Sequence, residues 1–167
     1  MKAKVELHLI SADDQSHLSE MLYHAIFVLP GSAAPHSDIV LLPELSRYVR
    51  DWGKHGDIGY FAVDTAARLP IGAAWLRLLT GEEAGYGHVH DEMPELSIAL
   101  LPSYRGQGIG SRLLGRLILA AKLQFEAISL SVSQQNPAVR LYLRFGFEVV
   151  GSHGNSLIMQ KRLSPAD

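Results

Sequence analysis

The residue types and spacing that point most directly to chemistry lie in Arg105-Gly106-Gln107-Gly108-Ile109-Gly110. Before this stretch runs an apolar segment, Leu96-Ser97-Ile98-Ala99-Leu100-Leu101, closed by Pro102. After it, apolar residues fall at 109, 113, 114, 117, 118 and 121, the spacing of one helix face. The glycines therefore sit where a strand turns into a helix. Such a turn offers several backbone N–H groups without partners and the positive end of a helix dipole. Glycine lets a phosphate approach that backbone closely. Two nucleotide motifs are excluded. A dinucleotide fingerprint needs G-x-G-x-x-G, and the sixth position is Ser111 counting from Gly106 and Leu113 counting from Gly108. A P-loop needs G-K-[S/T], and no lysine follows here. What remains, R-x-x-G-x-G, suits a pyrophosphate held mainly by amides without a metal. On these six residues alone, a purely structural glycine turn stays open as well.

A second junction follows one strand later. Ile128, Leu130 and Val132 alternate with Ser129, Ser131 and Ser133, the period of a strand. Asn136-Pro137 then fits the N-cap and first position of a helix. That helix carries Val139, Leu141, Tyr142 and Phe145 and ends at Gly146, a left-handed C-cap. Elsewhere, His88-Val89-His90 puts two metal-capable side chains on one face of an extended chain. The sequence places no third ligand, so no metal site is expected.

The elements that must position these residues read as strand and helix intermixed. A first strand alternates from Val5 to Ile10, and Ala12-Asp13-Asp14 caps a helix expected to reach about Leu29. Pro30 to Pro35 is a loop by composition. A second helix is expected from Pro43 to Trp52, stopped by Gly53. Strands are expected over Asp57–Val63 and Pro70–Leu79, a loop over Gly81–Glu92, and a closing strand pair over Phe147–Val150 and Asn155–Arg162. With no repeat, linker or low-complexity tract, residues 1–167 read as a single α/β domain.

Composition excludes several classes. Of 167 residues, 47% are hydrophobic, enough for a full core. Net charge is -2 with no basic run, so no nucleic-acid partner is expected. The absence of cysteine removes disulfides, thiolate metal sites and a cysteine nucleophile. Met1 to Leu7 lacks an apolar signal core, and no apolar run approaches the ~20 residues of a membrane span. A cytoplasmic protein without a membrane partner is the expectation.

The strand and turn from Leu96 to Gly110, together with Asn136-Pro137-Ala138-Val139-Arg140-Leu141-Tyr142-Leu143-Arg144-Phe145-Gly146-Phe147, resemble the GNAT superfamily of acyl-CoA N-acyltransferases. The close match covers about residues 94 to 150; the first 90 fit in element order and length. The resemblance implies a mixed α+β sheet of six or seven strands, splayed between two parallel central strands and flanked by helices. It implies acetyl-CoA as cosubstrate. Ile98, Ala99 and Leu100 would lend their strand to the pantetheine arm, with free N–H and C=O groups at Ile98 and Leu100, a ligand added as a strand. Arg105, Gly106, Gln107, Gly108, Ile109, Gly110 and Ser111 would hold the pyrophosphate. Asn136 would bond the cofactor arm, beside its sufficient role as an N-cap.

The resemblance also assigns chemistry. Tyr142 takes the place of a general acid that protonates the departing thiolate; a core aromatic is the alternative. Glu95, at the start of the cofactor strand, takes the place of the base that removes the amine proton, because an ammonium has no lone pair for attack. Its alternative is a solvated strand-end carboxylate, and Glu92, Asp91, His88 and His90 are rival bases. The implied function is transfer of an acetyl group to a primary amine, of a small molecule or a peptide, by direct attack in a ternary complex. A catalytically weak acyl-CoA-binding or regulatory domain, and transfer of a different acyl group, are the competing readings. Many relatives dimerise, so a homodimer is a further possibility.

Overall fold

The computed structural model describes residues 2–163. Seven strands form one sheet in the order β1-β2-β3-β4-β5-β7-β6. They are β1 (Val5–Leu9), β2 (Ile58–Asp64), β3 (Leu69–Arg77), β4 (Glu95–Leu100), β5 (Ala127–Ser133), β6 (Glu148–His153) and β7 (Ser156–Arg162). The helices are α1 (Gln15–Ala25), α2 (Pro43–Ser46), α3 (Ile109–Ala121) and α4 (Ala138–Arg144). Neighbouring strands run antiparallel except β4 and β5, which α3 links as a crossover and which therefore run parallel. This is the mixed, helix-flanked sheet that the resemblance implies, and β4 and β5 are paired at one position only, Glu95 with Ser129. Beyond that point the two strands part.

Alternation along the strands loads both faces of the sheet. On one face, Leu113, Leu114 and Leu117 of α3 are fully buried against Tyr60, Ala74, Leu76, Ile128 and Leu130. On the other, Leu18, Met21 and Leu22 of α1 pack against Phe61, Ala73, Trp75 and Ala99. All six apolar positions expected on the α3 face are buried. Trp52 and Trp75 are core residues whose indole N–H groups donate to the carbonyls of Ile10 and Tyr48.

Two helices are shorter than expected. α1 stops at Ala25, and Ile26 is extended at φ -72°, ψ 121°. The β-branched and aromatic run Ile26-Phe27-Val28, followed by Pro30, opposes a further helical turn. The helix expected over 43–52 stops at Ser46, because side chains of β3 and α1 claim the carbonyls that would continue it. Arg77 donates to Arg47 O at 3.1 Å and to Arg50 O, Trp75 Nε1 to Tyr48 O at 2.9 Å, and Gln15 Nε2 to Val49 O at 2.8 Å. Asp51 then takes a left-handed φ of 54° and ends the segment.

Candidate active site

At the end of β4 the chain makes a short 3-10 turn, Pro102–Tyr104, and enters α3 through the glycines. Gly106 and Gly108 have φ of 76° and 81°, a region that side chains rarely adopt. A Cβ at either would meet no atom within 4 Å, so both face open space. Gly108 is the N-cap of α3 and no side chain caps the helix. Among the described residues, no backbone N–H from Gly106 to Ser111 donates to a protein acceptor. Six amides at the positive end of a 13-residue helix thus stand ready for an anion. Arg105 is exposed, and its Nε folds back onto the carbonyl of Leu100 at 3.2 Å.

The adjoining strand edge is open. Leu101 N–H bonds to Ile71 O at 2.9 Å, so alternation turns Ala99 toward β3, and its partner there is Ala73. The same alternation turns the amides of Ile98 and Leu100 to the opposite edge, where β5 has already parted. Two differences from the expectation follow. Ala99 offers its main chain to β3 and not to the open edge, and its side chain is buried in the α1 cluster. The carbonyl of Leu100 is taken by Arg105, so its amide alone is free for a ligand. These unpaired groups fit a ligand that carries a pyrophosphate next to an amide-bearing arm.

Asn136 caps α4 as expected: its Oδ1 accepts from Ala138 N at 2.9 Å. Gly146 closes the helix at φ 88°. Tyr142 is 6% exposed, edge-on to Phe147 with ring centres 5.7 Å apart. Its hydroxyl has no hydrogen-bond partner, yet no described buried polar atom is both enclosed and unpartnered, so the oxygen reaches the molecular surface. Burial pushes its pKa above the ordinary phenol range, and the proton stays on oxygen.

Glu95 is not a solvated strand end. It is 2% exposed, and its carboxylate accepts three hydrogen bonds. Tyr48 Oη at 3.0 Å and Gly87 N at 2.8 Å donate to Oε1, and Gly85 N at 2.9 Å donates to Oε2. Tyr48 Oη itself accepts from Tyr86 N at 2.7 Å. Burial raises the pKa of Glu95, and the Gly87 amide, Tyr48, the Gly85 amide and His88 oppose that rise. Beside it on β5, fully buried Ser129 donates to Gly87 O at 2.7 Å. Arg77, opposite Glu95 on β3, pairs instead with Asp57 at 2.8 Å. Three polar side chains on adjacent strands thus hold loops by their backbones. Sequence reading missed Tyr48, Arg77 and Ser129. The one signal was an arginine inside the apolar run from Ile71 to Leu79.

The rival bases lie on the same loop. His88 Nε2 is 2.8 Å from Asp91, while His90, Asp91 and Glu92 are exposed. No group of three or more metal-capable residues comes together among the described residues. A cavity of about 440 Å³ opens where β5 ends, walled by Phe27, Leu29, Pro35, Ser133, Gln135 and Asn155 among others. A larger groove of about 560 Å³ lies over β1 and β2, away from the splayed strands. No described helix is long and apolar enough to cross a membrane.

Comparison with known proteins agrees with this geometry. Residues 70–149 match the model of the acetyltransferase (GNAT) domain family. Over 68 residues the chain is 40% identical to a [ribosomal protein bS18]-alanine N-acetyltransferase of Haemophilus influenzae, covering 40% of this chain and 47% of that protein. The match therefore spans about half the length of that curated relative. A GNAT-family acetyltransferase of Staphylococcus aureus superposes with a TM-score of 0.68 at 16% identity, over 96% of this chain and 100% of that one. The PaiA N-acetyltransferase of Thermoplasma acidophilum, solved in complex with coenzyme A, gives 0.64 at 20% identity over 95% and 99%. These two likenesses are of fold, and they run through almost the whole chain. The chain thus carries the sequence of the GNAT acetyltransferase domain family over residues 70–149, and the fold of GNAT-family acetyltransferases through almost its whole length.

Proposed function

We propose that this protein transfers an acetyl group from acetyl-CoA to a primary amine. The observation that carries the reading is one juxtaposition: six unpaired amides at the head of α3 lie beside the open edge of β4. A bound acyl-CoA supplies a thioester carbonyl to this site. The amides from Gly106 to Ser111, with the Arg105 charge, hold its pyrophosphate. The amides of Ile98 and Leu100 pair with its arm, and one of them polarises the thioester carbonyl. Asn136 keeps its side-chain amide for the same arm while its oxygen caps α4.

In the transfer the amine nitrogen bonds to the carbonyl carbon and the carbon–sulfur bond breaks. Tyr142, with its proton held by burial, donates that proton to the departing sulfur. Glu95 takes the proton that the amine loses: Oε2 accepts a single hydrogen bond and has a lone pair left. Its raised pKa favours that step. The acceptor enters through the 440 Å³ cavity, whose wall carries apolar and amide or hydroxyl side chains and no carboxylate. Such a wall suits an amine on an uncharged or peptide-like body and gives a polyamine's second charge no partner. The curated relative's alanine acceptor on a ribosomal protein supports a peptide amine.

The test is thiol release from acetyl-CoA across amines, amino-acid amides and short peptides, beside thermal unfolding with and without CoA. CoA at about a hundredfold above its Kd is expected to raise the unfolding temperature by roughly 5–10 °C. Turnover is expected on at least one uncharged or peptide amine. No thermal shift would remove the acyl-CoA reading. A full shift without turnover on any amine would favour a binding or regulatory domain.

A further inference from the structure

The anion turn has little support of its own. Its amides are unpaired and two of its glycines touch nothing, so most of the tethers that fix its position lie outside it. Just before it, Tyr104 Oη donates to Asp64 Oδ2 at 2.6 Å, across forty positions of sequence. Asp64 ends β2, is 8% exposed, and is itself held: its Oδ1 accepts from Ala66 N at 2.9 Å and Ala67 N at 3.4 Å. Tyr104 N–H bonds to Leu101 O at 2.9 Å, and Arg105 N–H to Pro102 O at 3.3 Å. A short, charge-assisted bond therefore fastens the 3-10 turn to the β2–β3 hairpin one residue before Arg105. Further on, Arg112 donates to Val5 O at 3.1 Å and Gln107 Oε1 accepts from Ala3 N at 3.4 Å. Among these tethers Asp64–Tyr104 is the shortest and the only one between two side chains.

We propose that Asp64 and Tyr104 are positioning residues for the cofactor's pyrophosphate. They hold Arg105 to Gly108 in the shape whose amides converge, so that the ligand meets a turn already formed. The proposal rests on reading residues 105–111 as the pyrophosphate site. Without the tether the turn samples other shapes, and apparent affinity falls in proportion to the fraction still competent. Neither residue hydrogen-bonds to Tyr142 or Glu95, so the chemical step is untouched.

The experiment compares two ligands by calorimetry, CoA and pantetheine, the second lacking the pyrophosphate. The variants are Tyr104→Phe, Asp64→Asn and the double substitution. Tyr104→Phe is expected to weaken CoA about five- to tenfold and to leave pantetheine affinity within twofold. The double variant is expected to be no weaker for CoA than the worse single one, because both substitutions act on the same bond. Asp64→Asn, which keeps an acceptor oxygen for Tyr104, is expected to fall between Tyr104→Phe and wild type. A folded Tyr104→Phe protein with unchanged CoA affinity would overturn the proposal, and so would equal losses on both ligands, the mark of a general fold staple. A wild type that prefers CoA no more than pantetheine would instead remove the pyrophosphate site itself, which separates the two failures.

Discussion

Tyr142 combines three properties that a proton donor to a leaving thiolate needs. It is buried, it keeps its proton because burial raises its pKa, and its hydroxyl is spent on no other partner. A core tyrosine serving only packing would be expected to find a hydrogen-bond acceptor, as Tyr48 and Tyr104 do. Tyr142→Phe removes only the donor, since the ring keeps its contact with Phe147. The variant is expected to lower kcat by about 10²–10⁴, the usual span for a general acid, with CoA affinity within twofold. Steady-state kinetics and calorimetry on the same preparation check it, and unchanged turnover would return Tyr142 to the core. Its position was legible in sequence because helix spacing and the capping pair Asn136-Pro137 fix its turn of α4. The state of its hydroxyl was not, because that depends on what neighbouring elements fail to offer.

Elements explain why Glu95 was harder to read. Its donors come from Gly85 and Gly87, in a segment without periodicity, and from Tyr48, in a stretch that sequence rules assign to a helix. That stretch leaves the helix because Arg77, Trp75 and Gln15 bind its carbonyls, a tertiary choice that no local propensity records. The glycines are equally contextual. A Cβ at Gly87 would lie 2.6 Å from the main chain of Leu130, and one at Gly85 2.5 Å from the Glu95 carboxylate. The loop therefore lies directly on the sheet where β4 and β5 begin to part. Glu95→Gln places an N–H donor among three donors, so it is expected to cost about 1–3 kcal/mol of stability. If Glu95 also takes the amine proton, the same substitution abolishes the limb of the kcat/KM profile that rises with pH. Gly87→Ala serves as the control, since it strains the loop and keeps the carboxylate. A Glu95→Gln profile that keeps its rising limb, with stability reduced as in Gly87→Ala, would leave Glu95 as a loop anchor and pass the base to another group.

Across the whole molecule, the family-like stretch from 70 to 149 holds the residues proposed for chemistry, while residues 2–69 brace it through Asp64, Tyr48 and Val5. Most strands and α3 were legible in sequence because periodicity is local; these long-range bonds join residues 40 to 107 positions apart and leave no such trace. Two buried tyrosines, Tyr48 and Tyr142, tie global stability to pH. Desolvation raises both above the ordinary phenol value, most strongly at Tyr48, where the Glu95 charge adds to it. Above pH ~10 an unfolded tyrosine loses its proton and these two do not, so the folded chain binds more protons than the unfolded one. Stability then falls as pH rises, and the contribution is fully present only below the unfolded pKa. With both tyrosines protonated in the fold, the slope approaches about -2.7 kcal/mol per pH unit, twice the ~1.36 kcal/mol per proton. Urea titrations at pH 8, 10 and 11 measure it. Tyr142→Phe is expected to halve the slope while Tyr48 still supplies the rest, and a wild-type stability that stays level from pH 8 to 11 would mean that the fold desolvates neither hydroxyl.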